Sequence, residues 1–219
     1  MTEHTEPRVH HGPAQPGLNW GTELADQLRW HWENQARPRL EGLSDEEYFW
    51  EPVQGCWNVR PRGTGDAPIQ AGSGDYTCDW AYPEPHPAPV TTIAWRLSHI
   101  LCGVLGQRNA AHFGGPAADY ESFEYPGSAA EALALLDEYY GRWISHVSAL
   151  SEEDLARPVG PAEGGWAEAP MATLVLHIHR ELIHHLAEVA LLRDLYAHRD
   201  RAPAAGSVHS AAAREDAGA

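Results

Sequence analysis

The chain of 219 residues contains no lysine, so arginine supplies all 15 of its basic residues, against 31 aspartate and glutamate residues. The formal net charge of −16, without a cluster of basic residues, disfavours binding to phosphate backbones and to anionic membrane surfaces. No apolar run approaches the length that spans a membrane. We therefore predict neither a nucleic-acid partner nor a membrane partner.

Cysteine is also scarce. Cys56, Cys78 and Cys102 are odd in number and include no CxxC pair. This pattern is more typical of a reducing cytoplasm than of a disulfide-bonded scaffold. The first 17 residues lack the apolar core of a signal peptide. The sequence therefore predicts a cytoplasmic protein.

Hydrophobic residues make up 43% of the chain, which is enough for one domain with a substantial core. Residues 1–17 are polar and rich in proline, and residues 198–219 are rich in alanine. Both segments are predicted to be disordered tails. Residues 18–197 remain as a single domain.

Helical periodicity and capping residues predict four long helices and an all-α fold, a four-helix bundle. The helices are expected over Thr22–Leu40, from Thr91 or Thr92 to about Phe113, over Glu131–Leu150, and over Leu174–Tyr196.

A long irregular insert separates the first two helices. Residues 54–90 are rich in glycine, proline and aromatic residues, including Trp57 and Trp80, and show no helical period. A segment of this length is either functional or disordered, and its tryptophans favour a functional role. The insert is expected to be either a lid over a pocket or a layer that only covers the core.

The last helix carries an unusual pair. Glu181 and His185 are four residues apart, so their side chains leave the same helical face. That face also carries apolar residues that mark the side turned to the core, namely Leu174, Ile178, Val189 and Leu192. Burying a carboxylate and an imidazole among core residues costs free energy, and a bound cation is one way to offset that cost.

His99 is the candidate for a third ligand. It lies on the side of the second helix that carries small residues such as Gly103 and Gly106. Two imidazoles and a carboxylate suit zinc first, with nickel, iron and manganese also compatible. Three protein ligands leave a coordination position for a small-molecule substrate.

Several neighbours have two interpretations each. His177 and Glu188 flank the proposed ligands on the same helical face, where they either orient a ligand or lie at the bundle edge. Arg96 either meets an anionic substrate or forms a surface ion pair. Trp57 and Trp95 either line the pocket or belong to the core.

The segments WRLSHI in the second helix and HIHRELIHHLAEVALLRD in the fourth resemble the DinB/YfiT-like superfamily, and the likeness extends from about Asn19 to Tyr196. The resemblance implies a four-helix bundle with a metal triad, one ligand from the second helix and two from the fourth. Glu181 and His185 form an ExxxH pair, as in the mycothiol-dependent maleylpyruvate isomerase branch, whose zinc site is His, Glu, His. The resemblance assigns the role of metal ligand to His99, Glu181 and His185 and to no other residue.

The resemblance implies a metalloenzyme that uses a low-molecular-weight thiol, such as mycothiol, as co-substrate in S-transfer or isomerisation of a small electrophile. A non-catalytic bundle that binds a metal or another ligand is the main alternative. A non-haem iron oxygenase is a lower one, because two histidines and a carboxylate also describe its facial triad. The oligomeric state stays open, with a homodimer as one expectation.

Overall fold

The computed structural model of the protein describes residues 17–200. This range is mostly helical, but it also contains a small β-sheet. The prediction of an all-α chain was therefore wrong in this respect. The predicted tails lie outside the described residues, except that Gly17 precedes the first helix and the last helix runs to His198.

The first helical segment begins two residues earlier than predicted. α1 covers Trp20–His31, and Oδ1 of Asn19 accepts a hydrogen bond from the backbone N–H of Thr22 at 3.1 Å, which caps the helix. A π-helical stretch, Trp32–Ala36, follows and leads into α2, Arg37–Arg39.

The second helical segment lies at the centre of the helical core. α4 covers Ile93–His99, the π-helical stretch Ile100–Gly106 follows, and α5 covers Gln107–His112. The hydroxyl of Thr92 caps α4 by accepting from the backbone N–H of Trp95 at 3.2 Å. Every residue of the π-helical stretch is buried. α4 and this stretch contact two other long helices, α6 (Ala129–Ser148) and α8 (Met171–His198).

The remaining helices complete the core. α6 is capped by Ser128, whose hydroxyl accepts a hydrogen bond from the backbone N–H of Glu131 at 3.2 Å. α8 covers Met171–His198, so it begins earlier and ends slightly later than the sequence indicated. The short elements are α3 (Asp45–Tyr48), α7 (Glu152–Ala156) and a 3-10 helix (Pro161–Trp166). No helix among residues 17–200 is both long enough and apolar enough to cross a bilayer.

The segment predicted to be irregular holds a three-stranded antiparallel sheet. Its strands are β1 (Val59–Pro61), β2 (Ile69–Ala71) and β3 (Tyr76–Trp80), in the order β1-β3-β2. Cys78 in the central strand pairs with Val59 on one side and Ala71 on the other. The insert is thus an ordered layer of the fold.

Asp79 fixes the sheet against the second helical segment. Its buried carboxylate accepts hydrogen bonds from the backbone N–H of Asn58 at 3.0 Å and from Nε of Arg60 at 2.8 Å. The backbone oxygen of Asp79 accepts a hydrogen bond from Nε1 of Trp95 at 2.8 Å. Because Trp95 is one turn before His99 in α4, this bond positions the sheet beside the candidate metal ligand.

Candidate metal centre

The face of α8 that carries Glu181 and His185 is turned to the core. The apolar residues predicted for that face are all buried, with exposures of 9% or less: Leu174, Ile178, Val189 and Leu192. His185 is buried as well, whereas Glu181 is partly exposed. Nε2 of His185 lies 3.5 Å from Oε2 of Glu181, as the four-residue spacing on one helix requires.

His99, the last residue of α4, meets this face. The ring centroids of His99 and His185 are 4.8 Å apart, and their planes are nearly perpendicular at 89°. Trp95 stacks on the His99 ring with a centroid distance of 5.7 Å and an interplanar angle of 14°. Two imidazoles from helices distant in sequence are thus neighbours, with a carboxylate beside one of them.

Tyr120, from the segment between α5 and α6, holds the His99 ring from a third direction. Its hydroxyl lies 3.2 Å from Nδ1 of His99. Gly103, within the π-helical stretch, makes this approach feasible, because a Cβ there would overlap the Tyr120 hydroxyl. π-helical turns recur at functional sites, and this one begins at the residue after His99.

Burial lowers the pKa of His99 to about 4, with smaller contributions from His185 and Arg96 that Glu181 and Glu188 oppose. The ring is therefore neutral at physiological pH. Neutral imidazole is the form that ligates a metal ion, so the environment of His99 favours coordination.

Glu188 orients His185. Its Oε2 atom lies 2.7 Å from Nδ1 of His185. An ionised carboxylate only accepts hydrogen bonds, so Nδ1 is the donor in this pair, which leaves Nε2 of a neutral His185 with its lone pair. A carboxylate on the distal imidazole nitrogen is the arrangement commonly found behind metal-bound histidines. Of the two roles considered for Glu188, this contact fits the orienting one.

A second cluster of possible metal ligands also contains His185. Ligand atoms of His184, His185 and Glu188 all lie within 4.8 Å of one another, which makes this group a candidate metal site among the described residues. Oε2 of Glu188, however, also lies 3.2 Å from Nε of Arg96. A cation at that carboxylate would stand next to a guanidinium, and the side chain of His184 is 63% exposed. These features disfavour the second cluster.

The other predicted neighbours occupy different positions. Nδ1 of His177 lies 3.5 Å from Oε1 of Glu181, one helical turn before it. Arg96 forms the ion pair with Glu188, in keeping with the ion-pair interpretation of this residue. Trp57 is buried and packs on Trp80 and Trp95, with ring centroids 5.6 and 5.9 Å away.

An aromatic cavity of about 250 Å³ opens beside His99. Its walls come from the sheet, from α4 and from the segment between α5 and α6, through Ile69, Ala71, Cys78, Trp80, Trp95, His99, Tyr120, Glu121 and Tyr125. The insert therefore supplies part of the wall of a cavity that reaches a candidate ligand. Burial raises the pKa of Tyr120 to about 12, so its hydroxyl is protonated at neutral pH.

Most residues of this cavity wall were not identified from the sequence. Tyr120, Tyr125 and Glu121 lie in a segment without helical period, so no spacing related them to His99. The small residues around His99 were the one available signal, since they indicated that something approaches that side of the helix. Gly103 is close to Tyr120 for this reason.

Comparison with curated proteins returns no match, and neither does comparison with solved structures. A family model described as the DinB superfamily matches residues 27–189, which is well over half of the chain and includes His99, Glu181 and His185. Members of this superfamily commonly bind a divalent metal ion. The chain therefore belongs to the DinB superfamily.

Proposed function

We propose that the protein is a metal-dependent enzyme in which His99, Glu181 and His185 hold a divalent ion. Zinc is the ion that we propose for the site. The observation that carries the proposal is the placement of His185, whose Nδ1 is held by Glu188 while its Nε2 faces Glu181 and its ring meets His99 edge-on. Two neutral nitrogen donors and one carboxylate suit zinc, and nickel, iron and manganese are compatible. We also infer that the four long helical segments form the bundle typical of the superfamily.

The proposed reaction is S-transfer to, or isomerisation of, a small electrophile by a low-molecular-weight thiol such as mycothiol. A divalent ion at this site would lower the pKa of a coordinating thiol, so that its sulfur is available as thiolate at neutral pH. The cavity beside His99 supports this proposal, because mostly apolar walls around a nucleophile exclude water that would compete for the electrophile.

The residues of the chain have distinct roles in this scheme. Trp80 and Trp95 present apolar surface that suits the body of an electrophile. Tyr120 holds the His99 ring through Nδ1, and Glu188 holds the His185 ring through Nδ1. Both contacts fix a ligand's orientation before anything binds, which lowers the entropic cost of assembling the site.

Metal content separates the two candidate ligand sets. We expect tag-free His99→Ala and Glu181→Gln to lose the bound ion in elemental analysis while their helical circular dichroism persists. His184→Ala is the matched control on the same helix and should retain a stoichiometric ion. If His184→Ala loses the ion and His99→Ala retains it, the cluster of His184, His185 and Glu188 is the site, and the proposed triad is wrong.

Activity separates the proposed chemistry from its alternatives. The metal-loaded protein should consume thiol in the presence of an electrophile panel, at the same rate with and without dioxygen. A requirement for dioxygen would favour the iron oxygenase. Stoichiometric metal without thiol consumption, for every thiol and electrophile in the panel, would favour the non-catalytic binding module.

A further inference from the structure

A second and larger cavity, of about 570 Å³, lies between the 3-10 helix Pro161–Trp166 and the first three turns of α8. α5 contributes Arg108 to its wall, and α8 contributes His177 and Arg180. No residue lines both this cavity and the one beside His99. The two cavities are therefore separate binding spaces.

The wall of this larger cavity has more positive than negative charge. It contains two guanidinium groups, Arg108 and Arg180, and one carboxylate, Glu163. That carboxylate is already paired, because Nε2 of His112 lies 2.9 Å from its Oε1 and Arg108 donates to its Oε2 at 3.2 Å. Nη2 of Arg180 lies 3.4 Å from Oε1 of Glu181, which is not part of the cavity wall, but the Arg180 side chain is 69% exposed and this pair leaves it with further donors. The wall itself therefore keeps surplus positive charge, which favours an anion.

Arg108 has an unused donor. Its Nη1 donates to the backbone oxygen of Gly103 at 2.7 Å and to Oε1 of Gln107 at 2.8 Å, and its Nη2 donates to Glu163. Its Nε is buried and has no hydrogen-bond partner among the described residues. The Arg108 side chain as a whole is still 23% exposed, so the part of the guanidinium that lines the cavity can meet an oxyanion, the acceptor that guanidinium groups bind best.

The same cavity is also apolar over much of its wall. Trp166 and Leu176 line it, and they remain 73% and 56% exposed. Large apolar side chains that stay exposed next to a cavity mark a surface available for a ligand. A free inorganic anion would gain nothing from them, whereas an anion with an apolar body would contact both parts of the wall.

We propose that this cavity binds a small organic anion, an oxyanion carried on an apolar or aromatic body. Arg108 and Arg180 contact the oxyanion, and Trp166 with Leu176 packs on the body. The site lies one helical turn from Glu181, because His177 lines the cavity and its Nδ1 is 3.5 Å from Oε1 of Glu181. Binding of the anion depends on the guanidinium groups and not on a metal ion.

A pair of fluorescent probes with the same skeleton tests both halves of the proposal. 8-Anilinonaphthalene-1-sulfonate carries an oxyanion on an aromatic body, and N-phenyl-1-naphthylamine lacks the sulfonate. Arg180→Gln should weaken binding of the sulfonate by about threefold or more, because Arg180 is largely exposed and its contribution is screened. Arg108→Gln should weaken it by about tenfold. Neither substitution should change the dissociation constant of the neutral probe by more than about twofold.

Two controls locate the probe. Arg199→Gln removes an equally charged side chain about 28 Å further along the axis of α8, and it should leave both dissociation constants unchanged. Ala162→Trp fills the cavity from its 3-10 helix and should abolish saturable binding of the sulfonate. Because Arg108 also bonds to the backbone, Arg180→Gln provides a test that does not depend on that buried contact.

The proposal is overturned if the sulfonate binds no more tightly than the neutral probe, or if Arg180→Gln and Arg108→Gln leave its affinity unchanged. It is equally overturned if Ala162→Trp leaves the binding intact, since the probe would then occupy another surface. All measurements are made on metal-stripped protein, because Glu181, a proposed metal ligand, lies 3.4 Å from Nη2 of Arg180. Failure of the metal site would therefore leave this result unaffected.

Discussion

The hydroxyl of Tyr120 lies 3.2 Å from Nδ1 of His99, so a residue from the segment between α5 and α6 fixes the ring of a candidate ligand on α4. Trp95 stacks on the same ring. These two contacts fix the plane of the imidazole and occupy its Nδ1. Nε2 is the remaining nitrogen that can ligate a metal ion. The contact makes Tyr120 a positioning residue for the proposed site.

Tyr120→Phe should therefore weaken metal binding by about 10- to 100-fold without changing the fold, because it removes only the hydrogen bond that orients His99. The measurement is a competition titration of the metal-stripped protein against a chelator. Tyr140→Phe is the control, since the buried hydroxyl of Tyr140 has no hydrogen-bond partner among the described residues. Equal losses in both variants would contradict the positioning role.

Gly103→Ala should destabilise the protein by about 1–3 kcal/mol, because the new methyl group would overlap the Tyr120 hydroxyl and lie 2.9 Å from its ring carbon Cζ. Gly141→Ala is a matched control inside α6, where a Cβ meets nothing within 4 Å. That variant should gain about 0.5–1 kcal/mol from reduced backbone entropy of the unfolded chain. Urea unfolding measures both changes, and a stable Gly103→Ala variant would show that Tyr120 does not hold this position.

His179 should make stability depend on pH. Burial lowers the pKa of His179 to about 4, against an ordinary value near 6.5, so the unfolded chain binds a proton that the folded chain excludes. The resulting loss of stability is absent above about pH 6.5, grows as pH falls, and is complete below about pH 4. At full extent it is on the order of 3 kcal/mol.

His179→Gln should remove this part of the pH dependence. We expect its free energy of unfolding, measured by urea titration of metal-stripped protein between pH 7.5 and 4.5, to fall less steeply than that of the unaltered chain. The slopes of unfolding free energy against pH should differ between the two proteins by nearly the value for one proton, about 1.4 kcal/mol per pH unit. Parallel curves for the two proteins would contradict a buried neutral His179.

A buried ion pair joins α3 to α8. Nε and Nη2 of Arg193 donate to the two carboxylate oxygens of Glu47 at 2.6 and 3.1 Å, and Glu47 is only 6% exposed. Arg193→Leu leaves this carboxylate buried and unpaired and should cost about 3–5 kcal/mol of unfolding free energy.

The double variant Arg193→Leu/Glu47→Leu should recover part of the loss, because the unpaired charge is removed with its partner. Asp194→Asn breaks the exposed pair between Arg39 and Asp194, whose atoms are 2.7 Å apart, and should cost less than about 1 kcal/mol. A similar cost for the exposed and buried pairs would contradict the role of burial.

The long helices were predictable because their ends carry local signals. Thr92 and Ser128 cap α4 and α6 through their own side chains, so the signal for each helix start lies within a few residues of it. The apolar face of α8 follows from spacing alone, and it identified Glu181 and His185 as polar residues in an apolar setting. These features need no knowledge of the rest of the chain.

The sheet was not predictable by the same means. β1 and β2 have three residues each, too few for alternation of apolar and polar side chains to be recognised, and β1 includes Pro61. That proline is tolerated because β1 is an edge strand, where a missing donor costs little. Tertiary pairing with β3 decides the structure of this segment, and no local pattern reports it.

The superfamily was predictable from two short helical segments, and the match over residues 27–189 confirms it. The isomerase branch, the thiol and the identity of the ion stay predictions. They depend on the walls around the site, and those walls come from segments without a periodic pattern, such as the one that carries Tyr120.

The three-stranded sheet has a consequence for how the activity of such a protein could diversify. The candidate ligands belong to α4 and α8, whereas Ile69, Ala71 and Trp80 in the cavity wall belong to β2 and β3. Changes in the outer strand β2 would reshape this space while the candidate ligands keep their helical supports. Trp80 of β3 stacks on Trp95 of α4, so substitutions there would disturb both the cavity and the setting of His99, whereas β2 is the part of the wall that can vary most freely.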